Sequence, residues 1–347
     1  MFAADVPTYT IDLEKPEALR WAEVIAAERA AAARLLAEAA REFERVPELL
    51  RWVFARLYQL SGGLYRDEIK SWADALGVSV GTVTLLNCAY ELSHLRLPRP
   101  FGCTAGVRWD DGLGPVHVRN LDWPLAGLGD ATCLFRFRRG DRTFLVVGVP
   151  GQVGVLSGML PGAYSATINW APPARTPTFR FGPTFLLRDT LETCDSYAAA
   201  VEALRKTPVA ASVFFTVCGT EAGQACVIER TPGAAVVRPA DGPVVQANHH
   251  VEVRFAANNA DLDDVAEDEQ EFSRAGSAAR ADALARALAA PGGPATLEEA
   301  ARALDAGPVL NKFTCQQMVF CPRSGDVRVW RRLTAPAAGG GPTPPPG

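Results

Sequence analysis

Several things are missing from this 347-residue sequence, and each absence removes a class of function. No stretch approaches the ~20 consecutive apolar residues that a membrane-spanning helix needs. The opening residues, MFAADVPTYTIDLEKPE, carry no basic segment followed by an apolar one, so no secretory signal is read there. No Asn-x-Ser/Thr glycosylation acceptor occurs. Basic charge is not in excess: 35 Lys and Arg stand against 39 Asp and Glu, a net charge of −4. That gives no field for nucleic acid. The glycine-rich GVPGQVGVLSG lacks the Gly-Lys-Ser/Thr that a phosphate loop requires. Histidine is scarce, with four residues, and none sits at metal-ligand spacing with a cysteine. His249 and His250, if on a strand, would point to opposite faces. Eight cysteines are present, but no CxxC pair. A chain this long without a signal is a poor disulfide framework, and most of its cysteines read as small buried hydrophobes. No metal and no cofactor are expected.

What is present divides the chain in two. Residues 15–97 read as helical. Leu19, Val24, Ile25, Ala32, Leu35, Leu36, Ala39 and Phe43 fall on one helical face, interrupted by Glu28. Helices over Trp52–Leu60 and Tyr65–Leu76 follow, and SVGTVTLLNCAYELSHL reads as one more. Pro98 and Pro100 punctuate. From Cys103 the chain turns to short strand runs bounded by Gly, Pro and Asp. These are CTAGVRW, VHVRNLD, ATCLFRFR, TFLVVGV, VGVLSGML and YSATINW. Two helices are expected in 183–206, then strands in ASVFFTVCGT, GQACVIERT, AAVVRPA and PVVQANHH. Residues 258–276 read as an exposed acidic loop. Helices follow at 277–289 and 296–305, the second with a Thr296–Glu299 capping box. FTCQQMVFCP and DVRVWRRL form a closing hairpin around Ser324-Gly325, and the tail from residue 334 should be disordered. Strands in two sets, with helices between and outside them, predict stacked sheets covered by helices.

One hairpin carries chemistry. Asp110, Asp111, Gly112 and Gly114 make a turn. A turn centred near Gly112 places Cys103 opposite about Leu121 and returns Arg119 and Asp122 to the start of the first strand. A thiolate is the nucleophilic form of cysteine, and a nearby guanidinium favours it. His117 has the parity of Arg119 but lies two residues further from Cys103. An α-amino group, with a pKa of roughly 7.7–8.0, is a better base at that position. Only a free N-terminus supplies one beside the thiol, so Cys103 is expected to be released from Gly102. Its own thiol can do this by attacking the Gly102 carbonyl.

The Cys-x15-Arg-x2-Asp pattern of Cys103, Arg119 and Asp122 resembles the N-terminal-nucleophile hydrolases of the choloylglycine hydrolase group, and more closely the acid ceramidase and N-acylethanolamine acid amidase family. PTYTIDLEKPEALRW is similar to the start of that family's helical α-subunit. PGAYSATIN, CGTEAGQACVIER, VVQANHH and GPVLNKFT resemble successive β-subunit motifs, in order. The resemblance implies a four-layer αββα fold, with a helical subunit at 1–102, a catalytic subunit at 103–333 and a tail at 334–347. It implies self-cleavage between Gly102 and Cys103, with the two fragments remaining together. The implied reaction is hydrolysis of N-acyl lipid amides, ceramide-like or N-acylethanolamine-like. By the same resemblance Cys103 is the nucleophile, Arg119 and Asp122 support it, and Asn169 and Asn248 bind the oxyanion or orient the nucleophile. A later arginine is also implied, Arg280 or, as the alternative, Arg274. Departures are Trp170 where members often have Glu, His249 and His250 in place of Tyr-Asp, and Gly102 in place of a bulky residue.

Two other readings share these residues. The same hairpin suits a bile-salt, penicillin or acyl-homoserine-lactone amidase, or an acyltransferase. An unprocessed relative could instead bind lipids or proteins. Met159, Leu160, Tyr164, Trp170 and Phe181 would line an acyl channel or simply fill the core. Abundant arginine and alanine suggest a GC-rich bacterial genome, and a cytoplasmic location is expected.

Overall fold

The computed structural model describes residues 2–43, 64–95, 102–110, 112–174, 178 and 180–334. The expected helix over Trp52–Leu60, the Pro98 and Pro100 punctuation and most of the tail lie outside them. Thr334, expected in the disordered tail, is instead held: its N–H and hydroxyl both donate to the Asp130 carboxylate.

The N-terminal part begins with two strands, β1 (Phe2–Ala3) and β2 (Thr8–Asp12), which the helical reading overlooked. Thr8, Tyr9, Thr10 and Ile11 are β-branched or aromatic, as suits a strand. Then come α1 (Ala22–Phe43), α2 (Arg66–Leu76), α3 (Val80–Asn87) and α4 (Ala89–Ser93). The expected single helix over SVGTVTLLNCAYELSHL is thus two. Asn87 explains the break: its Oδ1 accepts from the backbone N–H of Val153 at 2.6 Å, and its Nδ2 donates to Gly151 O at 2.9 Å. Cys88 then leaves helical geometry at φ −101°, ψ 11°.

The strand-rich part contains β3 (Gly102–Asp110), β4 (Gly114–Asp122), β5 (Cys133–Arg139), β6 (Arg142–Gly148), β7 (Ser157–Leu160) and β8 (Tyr164–Trp170). Next are α5 (Pro183–Thr193), α6 (Tyr197–Lys206), β9 (Val213–Cys218), β10 (Ala225–Thr231), β11 (Ala234–Pro239) and β12 (Val244–Gln246). The chain closes with α7 (Arg274–Leu288), α8 (Leu297–Ala301), β13 (Thr314–Cys321) and β14 (Asp326–Arg332). Residues 258–276 are not a free loop. Two 3-10 helices, Val253–Leu262 and Glu267–Phe272, bury Asn259, Leu262 and Phe272, and α7 already starts at Arg274. Thr296 caps α8 as expected, but Glu299 reaches back to Ala295 N rather than Thr296 N.

The strands form a six-stranded sheet, β1-β14-β13-β4-β3-β12, and an eight-stranded sheet, β11-β10-β9-β8-β7-β6-β5-β2. Two apolar clusters lie between them: Leu145, Val147 and Met159 with Met318 and Phe320, and Phe214 and Val227 with Val107 and Val244. The outer face of the smaller sheet, through Val116, Val118 and Val319, packs on Leu284 and Leu288 of α7 and Leu297 of α8. The outer face of the larger sheet, through Phe135, Phe137 and Phe215, packs on Trp21, just before α1, and on Trp72, Leu187 and Leu204 of α2, α5 and α6. Helices, sheet, sheet, helices: the chain is a four-layer αββα sandwich.

Candidate active site

Cys103 pairs with Leu121 across the β3–β4 hairpin, as the turn length predicts. Asp110 shapes that turn, its Oδ1 accepting from Gly112 N at 2.9 Å and Leu113 N at 3.0 Å. Directly opposed residues on antiparallel strands share a face, so Cys103 and Ala105 lie with Leu121 and Arg119 on the face toward the larger sheet. Arg119 is diagonal to Cys103, within reach of a long side chain. Its Nη2 donates to Cys103 Sγ at 3.1 Å and to Ile168 O at 2.6 Å, and its Nη1 bonds Ser157 Oγ. Both Cys103 and Arg119 are fully buried.

Asp122 is opposite Gly102 and therefore on the other face of the same sheet. Three positions apart on a strand, Arg119 and Asp122 cannot approach the cysteine from one side. Asp122 Oδ1 accepts from Thr314 Oγ1 at 2.6 Å. Its Oδ2 has no hydrogen-bond partner among the described residues and lies 3.7 Å from Arg280 Nη1.

Arg280 reaches in from α7. Its Nη1 donates to Cys103 O at 2.7 Å and Thr104 Oγ1 at 2.7 Å, and its Nη2 to Asn248 Oδ1 at 2.8 Å. Arg274, the alternative, is exposed at the first position of α7. Asn248 Oδ1 also accepts from Cys103 N at 3.0 Å, while its Nδ2 donates to Trp170 O at 2.8 Å. Asn169 Nδ2 donates to Gln246 O at 2.8 Å and Ala247 O at 3.1 Å. With Gly102–Cys103 intact, the Asn169 amide nitrogen donates to two backbone carbonyls and the Asn248 nitrogen to one. Asn248 orients the cysteine through its oxygen.

Burial pushes the Cys103 thiol above its ordinary range, Arg119 pulls it down, Asp122 pushes it up, and Arg280 pulls it down again. The nearby histidines are poor bases. Burial lowers His117 to about 3, helped by Arg119, and its ring is held by Ser165 and Thr167 hydroxyls at 2.9 and 3.1 Å. Burial lowers His94 to about 4. His249 and His250 diverge, the first to Ser277 Oγ at 2.8 Å and the second to Glu229 at 3.0 Å.

Sequence reasoning singled out neither Ser157 nor Ser277, which fixes Asn248 by accepting its backbone N–H at 2.8 Å. No motif marks either serine. Thr314 was legible only as part of GPVLNKFT. The five candidate channel residues pack with the core: Met159 and Tyr164 are fully buried, Trp170 donates to Ser93 Oγ at 2.9 Å, Leu160 is buried, and Phe181 packs against the same cluster. All eight cysteines are free thiols.

A family model described as acyl-coenzyme A:6-aminopenicillanic acid acyl-transferase matches residues 109–273. That stretch holds Arg119, Asp122, Asn169 and Asn248, and stops short of Cys103 on one side and Arg280 on the other. Acid ceramidase from Mus musculus is 28% identical over 262 residues, covering 66% of this chain and 64% of the relative. N-acylethanolamine-hydrolyzing acid amidase from Oryctolagus cuniculus is 31% identical over 216 residues, covering 57% and 58%. The matched region therefore spans less than two thirds of the length of these relatives. The solved structure of the Caenorhabditis elegans N-acylethanolamine-hydrolyzing acid amidase ortholog shares the fold. Its TM-score is 0.52 at 21% identity, covering 67% of this chain and 100% of that one.

Proposed function

We propose that the chain belongs to the acid ceramidase and N-acylethanolamine acid amidase family of N-terminal-nucleophile hydrolases and is a self-processing thiol amidohydrolase of N-acyl lipids, ceramide-like or N-acylethanolamine-like. One observation carries this reading. Three atoms of Cys103 are held at once: Sγ by Arg119, N by Asn248 Oδ1 and O by Arg280. A cysteine that merely filled space would not need its backbone and its sulfur fixed by buried charged and amide groups, whose burial is costly.

Self-cleavage starts with the Cys103 thiolate attacking the Gly102 carbonyl carbon. The C–N bond to Cys103 breaks, the leaving nitrogen takes up a proton, and a thioester joins Gly102 to Sγ. Water hydrolyses the thioester, giving a Gly102 carboxylate and a Cys103 thiol with a free amine. Asp122 lies across the hairpin from Gly102, and its Oδ2, which has no hydrogen bond among the described residues and sits 3.7 Å from Arg280 Nη1, would bond that amine. The amine, with a pKa of roughly 7.7–8.0, then serves as base. In the amidase reaction Sγ attacks the substrate's acyl carbon, the amine gives its proton to the leaving group, and water releases the fatty acid. To act as an oxyanion donor Asn169 must give up a carbonyl partner, whereas Asn248 has a second amide hydrogen to offer. The acyltransferase family match supports a second reading, in which an amine rather than water takes the acyl group from the thioester.

Intact mass and N-terminal sequencing test the proposal. The expected second fragment begins Cys-Thr-Ala-Gly, and Cys103→Ala stays a single chain without amidase activity. A Cys103→Ala protein that still cuts or still hydrolyses an N-acyl amide overturns it.

A further inference from the structure

Gly102 sits against an aromatic wall. A Cβ placed there would meet Phe272 Cε1 at 2.7 Å, Phe272 Cδ1 at 2.8 Å and Asp122 Cβ at 3.3 Å. Phe272 is 3% exposed and stacks on Phe313, with ring centroids 4.7 Å apart and planes at 28°. The pair is tied in place. The Lys312 ammonium lies 4.9 Å from the Phe313 ring, pairs with Glu271 at 3.3 Å and bonds the Asp268 carbonyl. Arg280 Nε donates to Glu271 O at 3.3 Å, which links this wall to the group that holds Cys103.

The wall bears on substrate choice, given the proposed function on which this step rests. Self-cleavage and amide hydrolysis pass through the same covalent species, a thioester on Cys103 Sγ. In the first the acyl group is Gly102 with the chain before it; in the second it is the substrate's acyl group. We infer that the α-carbon of the substrate's acyl group stands close to the place of the Gly102 Cα, and that Phe272, backed by Phe313, makes the site select acyl groups whose α-carbon is an unsubstituted methylene, rejecting a substituent in the position of an L side chain. With an alkyl chain in place of the Gly102 nitrogen, that forbidden position is the R configuration of a 2-methyl acyl group.

The test compares octanoyl, (R)-2-methyloctanoyl and (S)-2-methyloctanoyl amides of 4-nitroaniline. In the wild type the R amide should have a kcat/KM about 10- to 100-fold below the linear amide, as one extra methyl against a rigid wall implies. The S amide should fall between them. Phe272→Ala, with Phe272→Leu as the milder variant, should narrow the gap between R and linear to within about threefold. An R amide hydrolysed as fast as the linear one, or a gap unmoved in both variants, overturns the inference. Gly102→Ala carries the same methyl into self-cleavage and needs no added substrate. It should slow the appearance of the Cys103 N-terminus at least about tenfold, and Phe272→Ala should restore it. Loss of linear-amide turnover alongside a restored cleavage rate defeats the amidase reading and leaves the wall standing. In the Cys103→Ala background, where neither reaction runs, Gly102→Ala should lower Tm unless Phe272 is also Ala. Equal losses with and without Phe272 overturn the wall.

Discussion

Arg119 sits one diagonal step from Cys103 on the neighbouring strand, and its planar fork meets three acceptors there: Sγ, the Ile168 carbonyl and the Ser157 hydroxyl. Lysine would keep the charge but could not span that geometry. Arg119→Lys is expected to lower kcat/KM about 100-fold, roughly 3 kcal/mol of barrier, and to move the pH profile of Cys103 alkylation upward, because the hydrogen bond from Nη2 to Sγ is lost while the charge stays. An unmoved alkylation profile would show that Arg119 does not set the thiol. Arg280 and Arg274 separate as clearly. Arg280→Ala should abolish self-cleavage, because it frees the Cys103 carbonyl and Asn248 together, whereas the exposed Arg274→Ala should stay within about twofold of wild type. Comparable losses in the two would misplace the arginine. The hairpin register was legible because turn chemistry and the two-residue strand period fix it. The sequence put Arg280 ahead of Arg274 without deciding between them, since that depends on where the buried 3-10 helices end and α7 begins.

At the scale of elements, α4 carries an unusual burden. Glu91 is buried, neither carboxylate oxygen has a hydrogen-bond partner among the described residues, and burial raises its pKa to about 7. A carboxyl raised from the ordinary 4.5 stabilises the folded chain while protonated. That contribution is full below about 4.5 and is lost as pH rises through about 7. Glu91→Gln should leave the unfolding free energy nearly unchanged near pH 5 and raise it near pH 8, by about 3 kcal/mol, with Tm rising only at the higher pH. A Gln variant with the same pH dependence as wild type would mean that Glu91 finds a partner in solution. The break before α4 escaped the sequence because it depends on Asn87 bonding Gly151 and Val153, more than sixty residues away. The strands β4 and β8 were read at or near their true bounds, since bounding Gly, Pro and Asp residues are local signals. The segment before β7 was read too long because an apolar run there serves packing without strand pairing, and β12 because the backbone N–H groups of Asn248 and His250 bond the Ser277 and Asn259 side chains instead of a neighbouring strand.

At the scale of the whole molecule, the segment before Cys103 is woven into the rest. β1 pairs with β14 at the edge of the smaller sheet, and β2 pairs in parallel with β5 at the edge of the larger one. A buried ion pair fastens two helices of one layer, one from each side of the Gly102–Cys103 bond. Glu68 of α2 takes Arg188 Nη1 at 2.6 Å and Nη2 at 2.8 Å from α5, with Arg20 Nη1 at 2.9 Å and Trp21 Nε1 at 2.5 Å. The Arg188 guanidinium also lies 3.8 Å from the Tyr65 ring. Burial pushes the Glu68 carboxyl up, but Arg188, Trp21 and Arg20 more than reverse it, so it ends below the ordinary range. Its contribution is present above the unfolded carboxylate pKa and is lost only as pH falls through the lowered folded value. After cleavage at Gly102 the two fragments should therefore co-elute in gel filtration at neutral pH. Arg188→Met leaves Glu68 buried with half its partners gone, a loss of about 3–5 kcal/mol when one side of a buried pair is removed. The cut Arg188→Met protein should then separate into fragments at denaturant concentrations that leave the cut wild type whole. Equal resistance in the two proteins would place the bond between fragments in the edge strands and the apolar contacts of Trp21, Trp72 and Phe137 instead.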